Sequence, residues 1–199
     1  MRRATVKNSN LPDDLPTLSF ADSAAFEAWL SAAPPPKGVW MKIAKKDNRV
    51  VTVTYAEALD VALCHGWIDG QRRSLDARFF LQRFTPRRAK SLWSQINVGH
   101  VARLVEAGRM REGGLREIEK AKADGRWDAA YGGGRTMEVP PELAEALAKN
   151  RKASDFFATL NAANRYAVCW RVHTARKPET KTKRVEQFVA MLARGEKLH

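Results

Sequence analysis

The spacing of the apolar residues changes after Thr85-Pro86, and this change constrains the fold more than any other feature of the sequence. Before it, segment 38–46 places Val39, Met41 and Ile43 at every second position, which is the period of a β-strand. After it, apolar residues recur every three or four positions, as in amphipathic helices. We therefore expect an α+β protein, with a small, mainly antiparallel sheet and helices in the N-terminal half and an all-helical C-terminal subdomain.

The first half of the chain predicts a sheet and two helices. Pro34-Pro35-Pro36 ends the first helix, because proline has no backbone N–H to donate. Thr54 and Glu57 have the spacing of a capping box, which begins the second helix. The elements predicted here are a strand at 17–20, a helix from Asp22 or Ser23 to Ala32, strands at 38–46 and 50–53, a helix from Thr54 to Gly66, and hairpin strands at 67–73 and 78–84.

The second half predicts helices. Ser91 begins the first, and Gly113-Gly114 precedes the second. Gly132-Gly133-Gly134 favours a flexible turn and is the best candidate for a domain boundary. The predicted helices are 91–107, one ending at Ala123, 140–149, 153–160, 162–176 and 178–194. The predicted organisation is a flexible tail at 1–16, an α+β domain at 17–131 and a helical subdomain at 139–199.

The composition is typical of a folded protein without a membrane span. Hydrophobic residues make up 44% of the 199 positions, with six Trp and eight Phe, which excludes general disorder. No apolar run approaches the roughly 20 residues that a membrane-spanning helix needs. Arg2-Arg3 is not followed by the apolar segment of a signal peptide, and two cysteines do not make a disulfide framework. We expect a cytoplasmic protein.

The net charge of +13 is concentrated in two segments. Residues 72–90 and residues 165–184 each carry seven basic groups and one acidic group. A field of this sign attracts polyanions, phosphorylated metabolites or acidic membrane surfaces. The same pattern also fits the solvated basic surface of many Arg-rich bacterial proteins.

The segment from Cys64 to Trp93 holds the candidate site. Strand alternation places Trp67 and Asp69 on one face, near several arginines, as in the wall of a pocket. A structural Asp–Arg pair would give the same pattern. Arg87, Arg88 and Lys90 crowd the predicted helix start, where the helix dipole disfavours cations, and a bound anion would offset this cost. Carboxylates elsewhere in the fold could do the same.

These patterns predict a non-enzymatic binding protein whose basic cleft takes a small anionic ligand. Two tryptophans would form apolar walls, three cations would contact the anion, and a threonine hydroxyl would donate a hydrogen bond. An aspartate would orient an arginine or accept from the ligand. The predicted ligand-binding residues are Trp67, Asp69, Arg83, Thr85, Arg87, Lys90 and Trp93.

Two other function classes stay open. One is a small-molecule enzyme that uses Asp69 as its acid or base. The other is sequence-independent nucleic-acid binding, in which aromatic rings among the basic clusters would stack on bases, although these residues mostly follow core-type spacing. These aromatic residues are Phe79, Phe80, Phe84, Trp93 and Trp170. No metal or cofactor is expected, because the four histidines lack metal-ligand spacing and there is no phosphate-binding or dinucleotide-binding glycine motif. Cys169 lies on an apolar helix stripe, which is typical of a structural cysteine rather than a nucleophile.

Several longer motifs resemble the YdeI/OmpD-associated family, also labelled bacteriocin-protection proteins. The resemblance extends from about Leu18 over nearly the whole chain, and the segment that defines the family corresponds to about 139–199. The motifs that carry it are Ala62-Leu63-Cys64-His65-Gly66-Trp67-Ile68-Asp69-Gly70-Gln71, Arg83-Phe84-Thr85-Pro86-Arg87-Arg88, Ser91-Leu92-Trp93-Ser94-Gln95-Ile96-Asn97, Gly125-Arg126-Trp127-Asp128-Ala129-Ala130-Tyr131 and Thr174-Ala175-Arg176-Lys177-Pro178-Glu179-Thr180-Lys181.

The resemblance implies a stress-related role, such as protection against bacteriocins or cationic antimicrobial peptides, and association with an outer-membrane porin. It supplies no catalytic or ligand residues. Because no export signal is present, we do not expect direct contact with a porin. A protein of charge +13 would also repel cationic peptides, so simple sequestration of them is not expected.

Overall fold

The computed structural model describes residues 15–32, 34–46, 49–133 and 137–198. These residues contain eight helices and one four-stranded sheet, so the predicted α+β class is confirmed. The chain divides into two compact units. The N-terminal unit is Met1–Trp93 with Asn97–Ala130, and the C-terminal unit is Ser94–Ile96 with Tyr131–His199. None of the described helices is long and apolar enough to cross a bilayer.

The sheet of the N-terminal unit has the strand order β1-β2-β4-β3. The first pair is parallel and the other two are antiparallel, with β3 and β4 forming the predicted hairpin. The further strand predicted at 50–53 is a loop. In that loop the Thr52 hydroxyl oxygen accepts from the Ala44 N–H at 2.9 Å, which takes the place of a strand partner. The strands are β1 Thr17–Leu18, β2 Val39–Ala44, β3 Trp67–Ser74 and β4 Phe79–Pro86.

Two helices cover one face of this sheet. Val39, Met41 and Ile43 point to that face and join one hydrophobic core with Phe26 and Phe84. The helices are α1 Ser23–Ser31 and α2 Tyr55–Cys64. Their starts are as predicted: the Asp22 carboxylate accepts from the Ala25 N–H, and Thr54 and Glu57 form a complete capping box. Each cap satisfies backbone donors that would otherwise lack partners.

The other face of the sheet carries a smaller cluster. Leu15 and Leu81 pack there against Trp40, which is fully buried. Most of the predicted tail, 1–16, lies outside the described residues. Its last two residues are ordered against the sheet, since Leu15 is buried and the Pro16 carbonyl accepts from the Trp40 N–H at 3.0 Å.

Helix α3 begins later than predicted. It spans Gln95–Glu106, whereas the sequence placed its start at Ser91. Ser91 instead closes a turn, because its N–H donates to the Arg88 carbonyl and its hydroxyl accepts from the Arg88 N–H. Lys90 therefore lies outside the first turn of α3. The predicted need for an anion beside cations at this helix start was wrong for this segment.

Helix α4 includes the two glycines that the sequence placed before it. It spans Glu112–Ala123, with Gly113 and Gly114 in its first turn. A Cβ on Gly114 would lie 2.3 Å from the Cys64 carbonyl oxygen, and a Cβ on Gly113 would lie 2.7 Å from the His65 carbonyl oxygen. The glycines thus permit the backbone of α4 to touch the end of α2, rather than ending a helix.

Four helices build the C-terminal unit around a single hydrophobic core. Each presents apolar residues at helical spacing, among them Leu143 on the first, Phe157 on the second, Val172 on the third and Leu192 on the fourth. Asn150 and Asn161 cap the second and third helices through their side chains. The four helices are α5 Pro141–Ala148, α6 Arg151–Thr159, α7 Ala162–His173 and α8 Pro178–Ala193.

Candidate functional site

The sheet separates the predicted site residues that lie on its strands. Trp67 pairs with Pro86 and Asp69 with Phe84, which places both on the helix-covered face. Arg83 pairs with Trp40 on the opposite face, and alternation puts Thr85 there as well. Trp67 and Asp69 therefore do not share one cleft with Arg83 and Thr85.

The two tryptophans predicted as cleft walls are core residues. Trp67 is 6% exposed and meets Trp29 edge to face at 5.8 Å. Trp93 is 2% exposed and packs against Trp127 in a different hydrophobic cluster. Both rings are used in packing the N-terminal unit, which leaves little of their surface for a ligand.

Arg87 and Trp93, two of the predicted residues, are in direct contact. The Arg87 guanidinium carbon lies 3.6 Å from the centre of the Trp93 ring, and its Nη1 donates to the Leu92 carbonyl at 3.3 Å. A buried guanidinium on an indole face is a favourable cation–π contact. Lys90, by contrast, is an exposed residue of the neighbouring turn. This arrangement fixes the segment from strand β4 to helix α3.

Asp69 is paired with a tyrosine rather than with an arginine. The Tyr55 hydroxyl donates to Asp69 Oδ2 at 2.8 Å. Burial and the neighbouring Asp69 carboxylate raise the pKa of the Tyr55 phenol well above its usual range, so the phenol stays protonated near neutral pH. Within the described residues Asp69 has no ion pair. The pair holds the Tyr55 ring at the start of α2.

An open cavity of about 560 Å³ lies beside this tyrosine, between the end of β2, the loop that follows it, the start of α2 and the β3–β4 hairpin. Its floor is apolar and includes Ile43, Val53 and Phe80, which also belong to the sheet core. Val51, on the loop side, is 83% exposed. We call this the basic cavity, because of the side chains around its rim.

Three cations line the rim of the basic cavity: Lys45, Lys46 and Arg72. The Arg72 guanidinium carbon lies 3.9 Å from the centre of the Phe80 ring, so the group lies over the apolar floor. Lys45 is held at the hairpin, where its Nζ donates to the Asp76 carbonyl at 2.6 Å. No carboxylate is among the described residues that line the cavity. The charged side chains of the described lining are therefore all positive.

Three hydroxyl groups complete the polar part of the lining: those of Thr52, Thr54 and Tyr55. The Thr54 hydroxyl donates to Glu57 at 2.7 Å within the capping box. The Tyr55 hydroxyl donates to Asp69, and its oxygen can still accept a hydrogen bond. The cavity thus joins an apolar floor, a cationic rim and fixed hydroxyls, which is the usual make-up of a small-molecule site.

The family comparisons divide the chain in a similar way. Residues 18–117 match the family described as Domain of unknown function (DUF8412), which is just over half of the chain. The chain belongs to this family. Residues 136–195 match a second family, described as Bacteriocin-protection, YdeI or OmpD-Associated, so the predicted resemblance is confirmed in this segment. Searches of curated proteins and of solved structures gave no match.

All the residues that line the basic cavity, from Ile43 to Phe80, lie inside the DUF8412 segment. The predicted site residues did not include Lys45, Lys46, Arg72 or Tyr55. The Lys45-Lys46 pair at the end of a predicted strand was the available signal. The two lysines lie near Arg72 only because of the register in which the strands pair. Local sequence spacing does not reveal that register.

The remaining chemical groups do not point to catalysis by a metal or a thiol. Among the described residues there is no cluster of three or more His, Cys, Asp or Glu side chains. Cys64 and Cys169 are free and buried, and burial raises the pKa of both thiols. A buried thiol with a raised pKa is a poor nucleophile at neutral pH, because little thiolate forms.

Proposed function

We propose that this DUF8412 protein binds a small organic anion in the basic cavity. The observation that carries the proposal is the juxtaposition of Lys45, Lys46 and Arg72 above an apolar floor, with no carboxylate among the described lining residues. The ligand class is the one expected from the sequence. The site differs from the seven residues predicted from the sequence, because those on the strands lie on both faces of the sheet and the two tryptophans lie within hydrophobic clusters.

The cavity fits a ligand with an acidic group and an apolar part. Arg72, lying over Phe80, can offer two parallel N–H donors to a carboxylate or phosphate. Lys46 is exposed and free to turn toward the same group. The apolar part would cover Ile43, Val53 and Phe80, and it would also shield the exposed Val51 side chain.

We further propose that binding serves a stress-related role. This step depends on the C-terminal segment, whose family is described by bacteriocin protection. A cytoplasmic location stays a prediction from the sequence. Both statements concern the setting of the protein, and a test of anion binding does not depend on them.

An acid–base enzyme is the second candidate, since the Tyr55–Asp69 pair borders the cavity. The protonated phenol could donate to a ligand oxygen only by leaving Asp69, which is not among the residues that line the cavity. This geometry favours positioning of Tyr55 over proton transfer. Turnover of a bound anion by the wild type, abolished in Asp69→Asn, would favour the enzyme.

The test is isothermal titration with aromatic and alkyl carboxylates and with phosphate monoesters at two salt concentrations. We expect at least one amphipathic anion to bind wild-type protein, with affinity reduced about tenfold in Arg72→Ala, because alanine cannot form the charge-assisted bidentate hydrogen bonds. Lys37→Ala is the matched control: it removes one exposed cation of the same unit away from the cavity.

Equal weakening in Arg72→Ala and Lys37→Ala would show that the ligand responds to net charge, and the cavity assignment would then be abandoned. The same conclusion follows if only inorganic ions and polymers bind. Thermal unfolding of both variants, compared with wild type, checks that the N-terminal unit remains folded during the titrations.

A further inference from the structure

Helix α7 carries two separate stripes of large side chains. One stripe, with Val168 and Val172, is buried in the core of the C-terminal unit. The other consists of Tyr166, Trp170 and His173, at the i, i+4 and i+7 positions that share a helix face. Tyr166 and Trp170 are half-buried and His173 is exposed. We call these three residues the aromatic strip.

The rings of the aromatic strip lie in a row with nearly parallel planes. Tyr166 and Trp170 are stacked at 6.0 Å with 14° between their planes, and Trp170 and His173 are stacked at 6.3 Å with 26°. Tyr131 supports the central ring from the side, with its centroid 4.2 Å from that of Trp170. Along the helix axis the strip covers about 10 Å, from seven residues at 1.5 Å each.

The charges that helix α7 itself carries are all positive. Helix α7 contains no Asp or Glu, and Arg165 and Arg171 lie on either side of the strip, each about 100° around the helix from the nearest ring. Arg176 and Lys177 follow the end of the helix. Arg171, Arg176 and Lys177 are exposed and have no ion pair within the described part of the chain. Glu179, in the first turn of α8, is the one acidic residue between positions 165 and 184.

We propose that the aromatic strip is a binding site for single-stranded nucleic acid, recognised without sequence preference. Bases stack on the Trp170 and Tyr166 rings, and phosphates contact Arg171, Arg176 and Lys177. Charge complementarity selects a polyanion, and the row of rings selects bases over the carboxylates of an acidic protein. A duplex is disfavoured, because its bases are already stacked on each other. The proposal is independent of the basic cavity.

The experiment measures fluorescence anisotropy of a labelled oligonucleotide of about 15 nucleotides with the full chain. Oligo-dT and oligo-U are compared at about 50 mM and about 200 mM salt. Arg171→Ala/Arg176→Ala/Lys177→Ala should weaken binding about tenfold or more at the lower salt. The slope of log K against log salt should become flatter by about 2, since each phosphate that is no longer neutralised removes about 0.7.

A matched triple variant, Lys149→Ala/Arg151→Ala/Lys152→Ala, controls for net charge. It removes the same three charges from exposed positions of the same unit, away from the aromatic strip. We expect it to weaken binding by no more than about twofold, since long-range effects are screened at these salt concentrations. Equal losses of affinity in the two triple variants would mean binding by overall charge and would overturn the site.

The role of the rings is tested by tryptophan fluorescence, which reports base stacking rather than charge. Base stacking should quench the fluorescence of Trp170, so wild type should show a quenched component that Trp170→Phe lacks while still binding. Tyr166→Ala should weaken binding about tenfold, the typical effect of removing one stacking platform. Circular dichroism checks that these variants keep their helices.

Three results would overturn the proposal: no oligonucleotide binding by wild type, no ring-dependent quenching, or tighter binding of poly-glutamate than of the oligonucleotides. The last would indicate an acidic protein partner for the same surface. Arg72→Ala, the cavity variant, should leave oligonucleotide affinity unchanged, which keeps this test separate from that of the proposed function.

Discussion

The N-terminal and C-terminal units use their positive charge differently. In the N-terminal unit, Asp60 lies 2.7 Å from Arg103, and Glu27 accepts two hydrogen bonds from Arg111. These pairs join α2 to α3 and α1 to the start of α4. In and after α7 of the C-terminal unit, no described carboxylate forms an ion pair with Arg171, Arg176 or Lys177. Some arginines of the first unit are therefore structural, whereas Arg171, Arg176 and Lys177 have no ion pair within the described residues.

The two units also reach close packing by different means. In the N-terminal unit the backbones of α2 and α4 touch, which only glycine permits at Gly113 and Gly114. The C-terminal unit interlocks side chains such as Leu143, Phe157 and Leu192. Backbone atoms cannot change rotamer to make room, whereas side chains can. The contact between α2 and α4 should therefore tolerate substitution less well than the side-chain packing of the C-terminal unit.

The largest expected effect is that of Gly114→Ala. The added methyl would lie 2.3 Å from the Cys64 carbonyl oxygen and 2.7 Å from that of Leu63, so the helices must move apart. We expect a decrease of about 3 kcal/mol in the free energy of unfolding, measured by urea denaturation. Hydrogen exchange should show reduced protection in Tyr55–Cys64 and Glu112–Ala123.

Gly99→Ala is the matched control for this substitution. Gly99 lies inside helix α3, and nothing lies within 4 Å of an added Cβ. It should gain about 0.5–1 kcal/mol from helix propensity. If Gly114→Ala were as stable as wild type, the contact between α2 and α4 would not require glycine, and the two units would not differ in their kind of packing.

A smaller effect tests the contrast in charge. Arg111→Ala should cost about 1 kcal/mol or less, because the pair with Glu27 is partly exposed and screened. Lys177→Ala, at the N-cap of α8, should cost nothing measurable, since a cation near a helix N-terminus is unfavourable. Both are measured by urea denaturation at low and high salt, and the cost of Arg111→Ala should shrink with salt. Equal costs in the two variants would remove the distinction between structural and available charge.

Local patterns predicted the helices and strands well where neighbours along the chain decide them. The Thr54–Glu57 capping box and the β3–β4 hairpin are examples, because their stabilising contacts lie within a few residues. Gly113-Gly114 was misread as a helix boundary. The space for a side chain at Gly114 is taken by the Cys64 carbonyl, which lies some 50 positions away in the sequence. A glycine needed for close approach and a glycine that ends a helix are identical in sequence.

The ligand class proposed for the basic cavity is the one expected from the sequence, but the cavity lies elsewhere than the predicted cleft. The sequence indicated an anion and a basic surface, and the basic cavity has a cationic rim that suits such a ligand. Its residues come from β2, the following loop and β3, which the register of β4 brings together. Trp67 and Trp93 were misplaced for the opposite reason, since a large ring beside arginines looks the same in a core and in a cleft.

The smallest expected effect concerns the response of stability to pH. It depends on His65, which belongs to the N-terminal unit. Burial lowers the pKa of His65 below its usual 6.5, and the nearby Glu27 carboxylate only partly opposes this. The folded protein then binds fewer protons at this site than the unfolded chain does. Stability therefore rises with pH between the lowered pKa and 6.5, and falls as the solution is acidified through that window.

Glu27 acts in a lower window. Its hydrogen bond with Arg111 holds the pKa of Glu27 below 4.5, so its stabilising contribution disappears only as the pH falls below that value. Between pH 6.5 and 4.5 the change belongs to His65 and should stay below about 1 kcal/mol, because the site is partly solvated. Urea denaturation across this range should show the decline in wild type and a flatter curve in His65→Gln. An equal slope in both proteins would assign the acid sensitivity to other groups, and a decrease in hydrogen-exchange protection of α5–α8 in this window would place it in the C-terminal unit.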